Sequence, residues 1–300
     1  MAIATPQVKT DRLHFIDLIR GLAVIFMVEA HVINSCLNPA YRTGGLFTTL
    51  DIFNGFVSVA FIFCAGAGFQ LALEKKKESF LTFERPLWLY VRRLLFILAL
   101  AYWLHLPTHS LTKYLSFAPA EMNSLFQFDV LQVIVTCSFI GLALGLLPMR
   151  VGILRVLYIF LAAAIFLATP FVWEWHPEHT LPAIFSMPFI EQPISKFPLF
   201  PWGGYFFAGA AVMGFLLQSE HRRRFAAILA CCAFVVAVIA SHLEDLRLYY
   251  GGWDDWWRTS PEHSLYRLAG VVAAFGVLFL LEQRIAPTRT GTILRHAGQE

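Results

Sequence analysis

Arg20 and His31 stand ten residues apart inside one apolar run, IDLIRGLAVIFMVEAHVIN (Ile16–Asn34), which also carries Asp17 and Glu29. Ionisable side chains are costly in such a run, so their types and spacing call for a chemical reason. At about 100° per residue, Asp17, Arg20, Val24, Met27, His31 and Asn34 share one helical face, and Glu29 points to the opposite one. Arg20 and His31 differ by about 20° in phase and lie about 16 Å apart along the axis. An imidazole exchanges protons near neutral pH, so His31 is a candidate general base, or itself an acyl acceptor. The guanidinium of Arg20 suits a phosphate, which it meets with a planar fork of donors. A plainer reading of Arg20 alone is an interfacial pair with Asp17, its charged head snorkelling to water.

Further polar side chains enter later apolar runs. Asp129 and Gln132, in FDVLQVIV, share a face at i and i+3. Asp129 is placed to orient an imidazole, bind an acceptor or simply end a helix. Asp51 opens the second run and Asn34 closes the first. Arg92 and Arg93, in YVRRLLFIL, are anion-binding candidates or ordinary membrane anchors. Pro198, Pro201 and Trp202 break and anchor another run, and the glycines after them favour close helix packing. Glu174, His176, Glu178 and His179 are a mixed set in a proline-bearing loop, which argues for no metal. His105 and His109 are four apart, but Pro107 between them spoils a helical pair. None of the five cysteines forms a CxxC pair, so neither a disulfide framework nor a zinc site is indicated.

These residues need membrane elements to position them. The 300-residue chain is 58% hydrophobic and 14% charged, with mean hydropathy +0.62, far from the usual balance of a soluble globule. A net charge of +3 without a basic stripe excludes a nucleic-acid partner. The predicted fold is all-α and polytopic, surrounded by membrane lipids. Eight apolar runs are its spans: Phe15–Leu37, Ile52–Leu73, Leu87–Leu106, Leu125–Leu147, Val156–Trp173, Phe200–Leu217, Phe225–Ser241 and Leu265–Leu281. The last three are short for a span of about 20 residues. Basic connections such as EKKKESFLTFER, MRVGILR and HRRR alternate with acidic, aromatic ones such as WEWHPEH and YYGGWDDWWR. With the N-terminus cytoplasmic, 17 of the 23 Lys and Arg fall on the cytoplasmic side, which predicts that orientation. No soluble domain, long linker or repeat interrupts residues 1–300, so one transmembrane domain is expected, with no cleavable signal peptide. A proton-coupled secondary transporter of a small anion or lipid-like solute would use similar residues, but the repeated halves common in such proteins are not visible.

Arg20, ten intervening residues and His31, after IDLIRGLAV, resemble the first helix of the transmembrane acyltransferase superfamily. That group includes the acyltransferase-3 proteins and the heparan-α-glucosaminide N-acetyltransferase-like proteins. FDVLQVIV (Phe128–Val135) and FPLFPWGGYFFAGAAVMGF (Phe197–Phe215) resemble motifs of the heparan-type members. Those members have asparagine where this chain has His31, and their active-site histidine follows in the next loop. Here no histidine lies between Val32 and Leu104, and the spacing matches the acyltransferase-3 pattern. The resemblance implies a membrane enzyme, of the bacterial inner (plasma) membrane. It would move an acyl group, specifically acetyl, from cytoplasmic acyl-CoA to a carbohydrate or other acceptor at the outer face. On that reading His31 and Asp129 are catalytic, and Arg20, Arg92 and Arg93 hold the CoA. Asn34, Asp51, Gln132 and Trp202 then meet the acceptor, and no metal takes part. The implied cavity lies among the first, second, fourth and sixth spans, and a homo-oligomer is compatible with it. ILRHAGQE resembles the start of a segment that leads into further helices in these families, which implies a shortened member or a fragment.

Overall fold

The computed structural model describes residues 13–108, 110, 125–189, 195–246 and 259–299. Each of the eight apolar runs lies on a helix: α1 (His14–Cys36), α2 (Gly45–Leu81), α3 (Arg85–Leu104), α4 (Val130–Gly145), α5 (Val151–Glu174), α6 (Leu199–Gln218), α7 (Arg222–Leu246) and α8 (Pro261–Ile285). A further helix, α9 (Arg289–Ala297), follows. Six of them, α2, α3 and α5 to α8, are long and apolar enough to cross a membrane. The protein is an integral, multi-pass, all-α membrane protein.

Element lengths depart from the apolar runs in informative ways. The α2 helix has 37 residues, about 55 Å at 1.5 Å per residue, because the polar residues beyond Leu73 continue it. The runs that look short at the C-terminal side belong to helices of 20, 25 and 25 residues. The fourth is shorter than its run, at 16 residues. Asp129 stops it there by capping, and Leu125–Phe128 stay outside the helix. Between α5 and α6 the described residues form only short turns at Pro177–His179 and Ala183–Ser186, as the prolines require.

Neighbour contacts fix the helix directions. Gly141 meets Phe69 and Gly145 meets Leu73, so α4 runs parallel to α2. Gly204 meets Phe166 and Gly214 meets Arg155, so α5 and α6 are antiparallel. Phe26 stacks on Phe53, and Phe15 meets Phe275 and Phe279 edge-on, so α1 runs against both α2 and α8. One end of the bundle, here called the near end, therefore holds the starts of α1, α3, α5 and α7. The far end holds their C-terminal ends.

The innermost element is α6, where every residue from Gly203 to Ala211 is buried. Its approach to α2 depends on two glycines. A Cβ at Gly66 would collide with the Phe206 carbonyl, and one at Gly209 with the Phe63 carbonyl. Small residues at both crossing points let the backbones touch. On the outside, Phe96, Phe160 and Phe234 are 67%, 65% and 64% exposed, as lipid-facing side chains are.

Candidate functional site

At the near end, Asp17 is buried and accepts from Arg20 Nη2 at 2.6 Å through Oδ1. Its second oxygen accepts from Gln299 Nε2 at 3.2 Å. The helix α9 makes this burial possible. Gly21 lies against the Leu294 carbonyl and Gly298 against the Asp17 carbonyl, with no room for a side chain at either glycine. The plain reading of Arg20 as the partner of Asp17 is therefore realised, although Arg20 Nε is buried without a partner among the described residues. Arg92 and Arg93 are both exposed on α3.

Arg155 was legible only as one basic residue among those of a connection. It lies one turn inside α5 and is 7% exposed. Its carbon chain crosses Gly214, where a Cβ would stand 3.0 Å from Arg155 Cγ and Cδ and 3.4 Å from Gln70 Nε2. Gln70 is 1% exposed and donates to Glu74 Oε1 at 3.1 Å. The signal for Arg155 was in the sequence. It precedes Tyr158, Ala162, Ile165 and Thr169 at helical spacing, and all of these are buried.

At the far end the first helix departs from expectation. His31 and Asn34 are exposed, as are Met27, Val28 and Val32 around them. Glu29, assigned by phase to the opposite face, is the residue turned inward, and both its carboxylate oxygens are buried with no hydrogen-bond partner among the described residues. The polar stripe keeps its phase, but its cover changes along the helix. Against α1 the nine residues of α9 span only about 13 Å, and they cover the Asp17 face but not the far half. Among the described residues Asp129 meets His105 and not His31, and His31 is exposed on α1. Its Nδ1 lies 2.7 Å from the Met27 carbonyl. A carbonyl only accepts, so Nδ1 is the donor in this contact and Nε2 is the nitrogen left for other partners. Arg42 then closes the helix by donating to the carbonyls of Asn34 and Leu37 at 2.9 and 3.1 Å.

Asp129 is engaged elsewhere. Its Oδ1 accepts from the Val130 amide at 2.7 Å, and it caps α4 together with Gln132. Its Oδ2 faces His105 Nε2 at 3.4 Å. His105 Nδ1 lies 2.7 Å from the Ala101 carbonyl, so each of its nitrogens meets an acceptor. Gln132, expected to meet the acceptor, belongs to the same cap. Gln132 is 0% exposed, its Oε1 accepts from the Asp129 amide at 3.2 Å, and its Nε2 donates to the Gln127 carbonyl at 3.2 Å. Pro107 obscured His105: it rules out a helical partner after His105 but not a partner from another helix. His109 lies outside the described residues.

The same corner is tied to the segment before α6. The Phe128 amide donates to Ser195 Oγ at 3.0 Å, and the Phe128 carbonyl accepts from the Lys196 and Phe197 amides. Trp202 stands between the rings of Phe197 (4.7 Å) and Tyr205 (5.7 Å). The backbone bends at Phe200, and Trp173 Nε1 takes up its carbonyl at 3.2 Å. Asp51 is exposed on α2. Among the described residues no group of three or more His, Cys, Asp or Glu side chains gathers to hold a metal.

Residues 12–250, spanning α1 to α7, match the family described as heparan-alpha-glucosaminide N-acetyltransferase, catalytic. No curated protein and no solved structure matches the chain.

Proposed function

The chain belongs to the heparan-alpha-glucosaminide N-acetyltransferase catalytic family and is a multi-pass membrane acyltransferase, and we propose that it carries acetyl from acetyl-CoA across a bacterial plasma membrane to a carbohydrate acceptor. The observation that carries this reading is the family match through residues 12–250. In this reading residues 1–300 form one catalytic unit with the near end in the cytoplasm. The basic asymmetry, 17 of 23 Lys and Arg, supports that orientation. CoA arrives at the near end, where the exposed guanidiniums of Arg92 and Arg93 attract its phosphates and Arg20 supplies a fixed charge beside Asp17.

The acceptor is met at the far end, where Asn34, Asp51 and Trp202 offer hydrogen-bonding and aromatic surfaces. His31 is the base. Its bond to Met27 holds the ring with Nε2 free to take a proton. As the acceptor hydroxyl or amine attacks the thioester carbonyl, Nε2 removes its proton. The carbon–sulfur bond breaks, and the CoA thiolate leaves and is protonated. Asp129 acts through His105 as a positioning residue at the rim of α3 and α4, not as the partner of His31.

The test is acetyl transfer from radiolabelled acetyl-CoA to a panel of amino sugars and glycans by the purified protein in nanodiscs. Labelled product that depends on acceptor supports the reading. Tight acetyl-CoA binding with no product from any acceptor, or product formation that His31→Ala leaves unchanged, would sink it.

A further inference from the structure

Arg155 is a buried cation with no carboxylate in ion-pair contact among the described residues. It is 7% exposed, its Nε has no partner, and among the described residues no hydrogen bond or ion pair reaches it. Its described contacts are the Phe215 ring, 5.5 Å from Cζ, and the bare surface of Gly214. Glu74 sits one turn beyond Gln70 and does not close the gap. It accepts from Gln70 Nε2 at 3.1 Å and forms no ion pair with Arg155. Gln70 is itself 1% exposed and leaves Oε1 without a partner. A buried guanidinium left unpaired is unfavourable, and its planar fork fits phosphate. Gly214 gives it space, since a side chain there would press on Arg155 Cγ and Cδ. By the helix directions, Arg155 lies at the same end as Arg20, Arg92 and Arg93, but inside the bundle rather than on its surface.

We propose that Arg155, with Gln70 beside it, binds a phosphate group that enters the bundle between α2, α5 and α6. Resting on the acyl-CoA reading above, that phosphate is one of the donor's. A phospholipid headgroup has the same chemistry and is the other source.

The experiment compares wild type with Arg155→Gln and Arg155→Lys in phosphatidylcholine nanodiscs, by calorimetric titration with CoA and with pantetheine, which lacks phosphate. A second arm incorporates phosphatidylglycerol and measures retained lipid by native mass spectrometry. Loss of charged hydrogen bonds to phosphate should weaken CoA binding roughly 10- to 100-fold in Arg155→Gln. Arg155→Lys should be intermediate, and pantetheine binding should not change. If CoA affinity is equal in all variants but only wild type retains phosphatidylglycerol, phosphate recognition stands with lipid as its source. If the substitution changes neither, the proposal is overturned. If CoA binds to no variant, the acyl-CoA reading falls, and the lipid arm alone decides Arg155. The ligand-free proteins supply the control: an arginine kept for a ligand leaves Arg155→Gln melting at or above wild type, whereas a clear drop in melting temperature marks Arg155 as structural and refutes the site.

Discussion

His31 and His105 both turn Nδ1 back to the carbonyl four residues earlier, Met27 and Ala101, at 2.7 Å. Both stand near the C-terminal end of a helix at the far end of the bundle. Their second nitrogens differ. His105 Nε2 faces Asp129 at 3.4 Å, whereas His31 is exposed and its Nε2 has no partner among the described residues. One anchor thus produces two instruments. The backbone carbonyl fixes the ring and its tautomer in each case, and the neighbour of Nε2 decides whether the ring is free to take a proton or is held in a helix-end pair.

The largest effect that tests this contrast is on turnover. His31→Ala should lower acetyl transfer by about 10²–10⁴-fold, the usual contribution of a general base, with acetyl-CoA affinity nearly unchanged. His105→Ala should leave turnover within a few-fold. If the two variants exchanged these outcomes, the roles assigned here would be reversed.

A smaller effect concerns the Asp129 corner. Asp129→Ala removes an N-cap and should cost about 1 kcal/mol, read as a lower midpoint of thermal unfolding in detergent. His105→Ala removes the other half of the pair, and its loss should be of similar size or less, because the 3.4 Å contact is long. In the double variant the two losses should be less than additive, since both report one contact. Strict additivity would show that His105 and Asp129 do not interact.

The smallest effect should come from Asp129→Asn. Asparagine caps a helix about as well as aspartate, so α4 should keep its start and the midpoint should shift by only a few tenths of a kcal/mol. A fall as large as that of Asp129→Ala would mean that the carboxylate charge facing His105 matters more than the cap.

Much of the frame follows from the chain itself. Hydrophobic runs long enough for a bilayer must satisfy their backbone groups internally, so helices were the only outcome for them. Each of the eight runs lies on one. The three motifs pointed to the acyltransferase family, which the match through residues 12–250 shows. The Asp17–Arg20 pair was also legible, because i,i+3 neighbours on a helix are close whatever surrounds them.

What the chain could not reveal alone is which helix face is covered, and by what. Helical phase groups Asp17 with His31, but only the docking of α9 through Gly21 and Gly298 buries the first and leaves the second exposed. Phase also sent Glu29 outward, yet the far half of α1 is covered on the Glu29 side. Asp129 and His105 are 24 residues apart in sequence, and only the antiparallel pairing of α3 and α4 brings them together. Arg155 looked like a loop charge until Gly214 let α5 and α6 close over it. The reason is the same in each case. Local sequence sets periodicity and capping, whereas the environment of a polar group depends on contacts between segments distant in the chain, which no local period encodes.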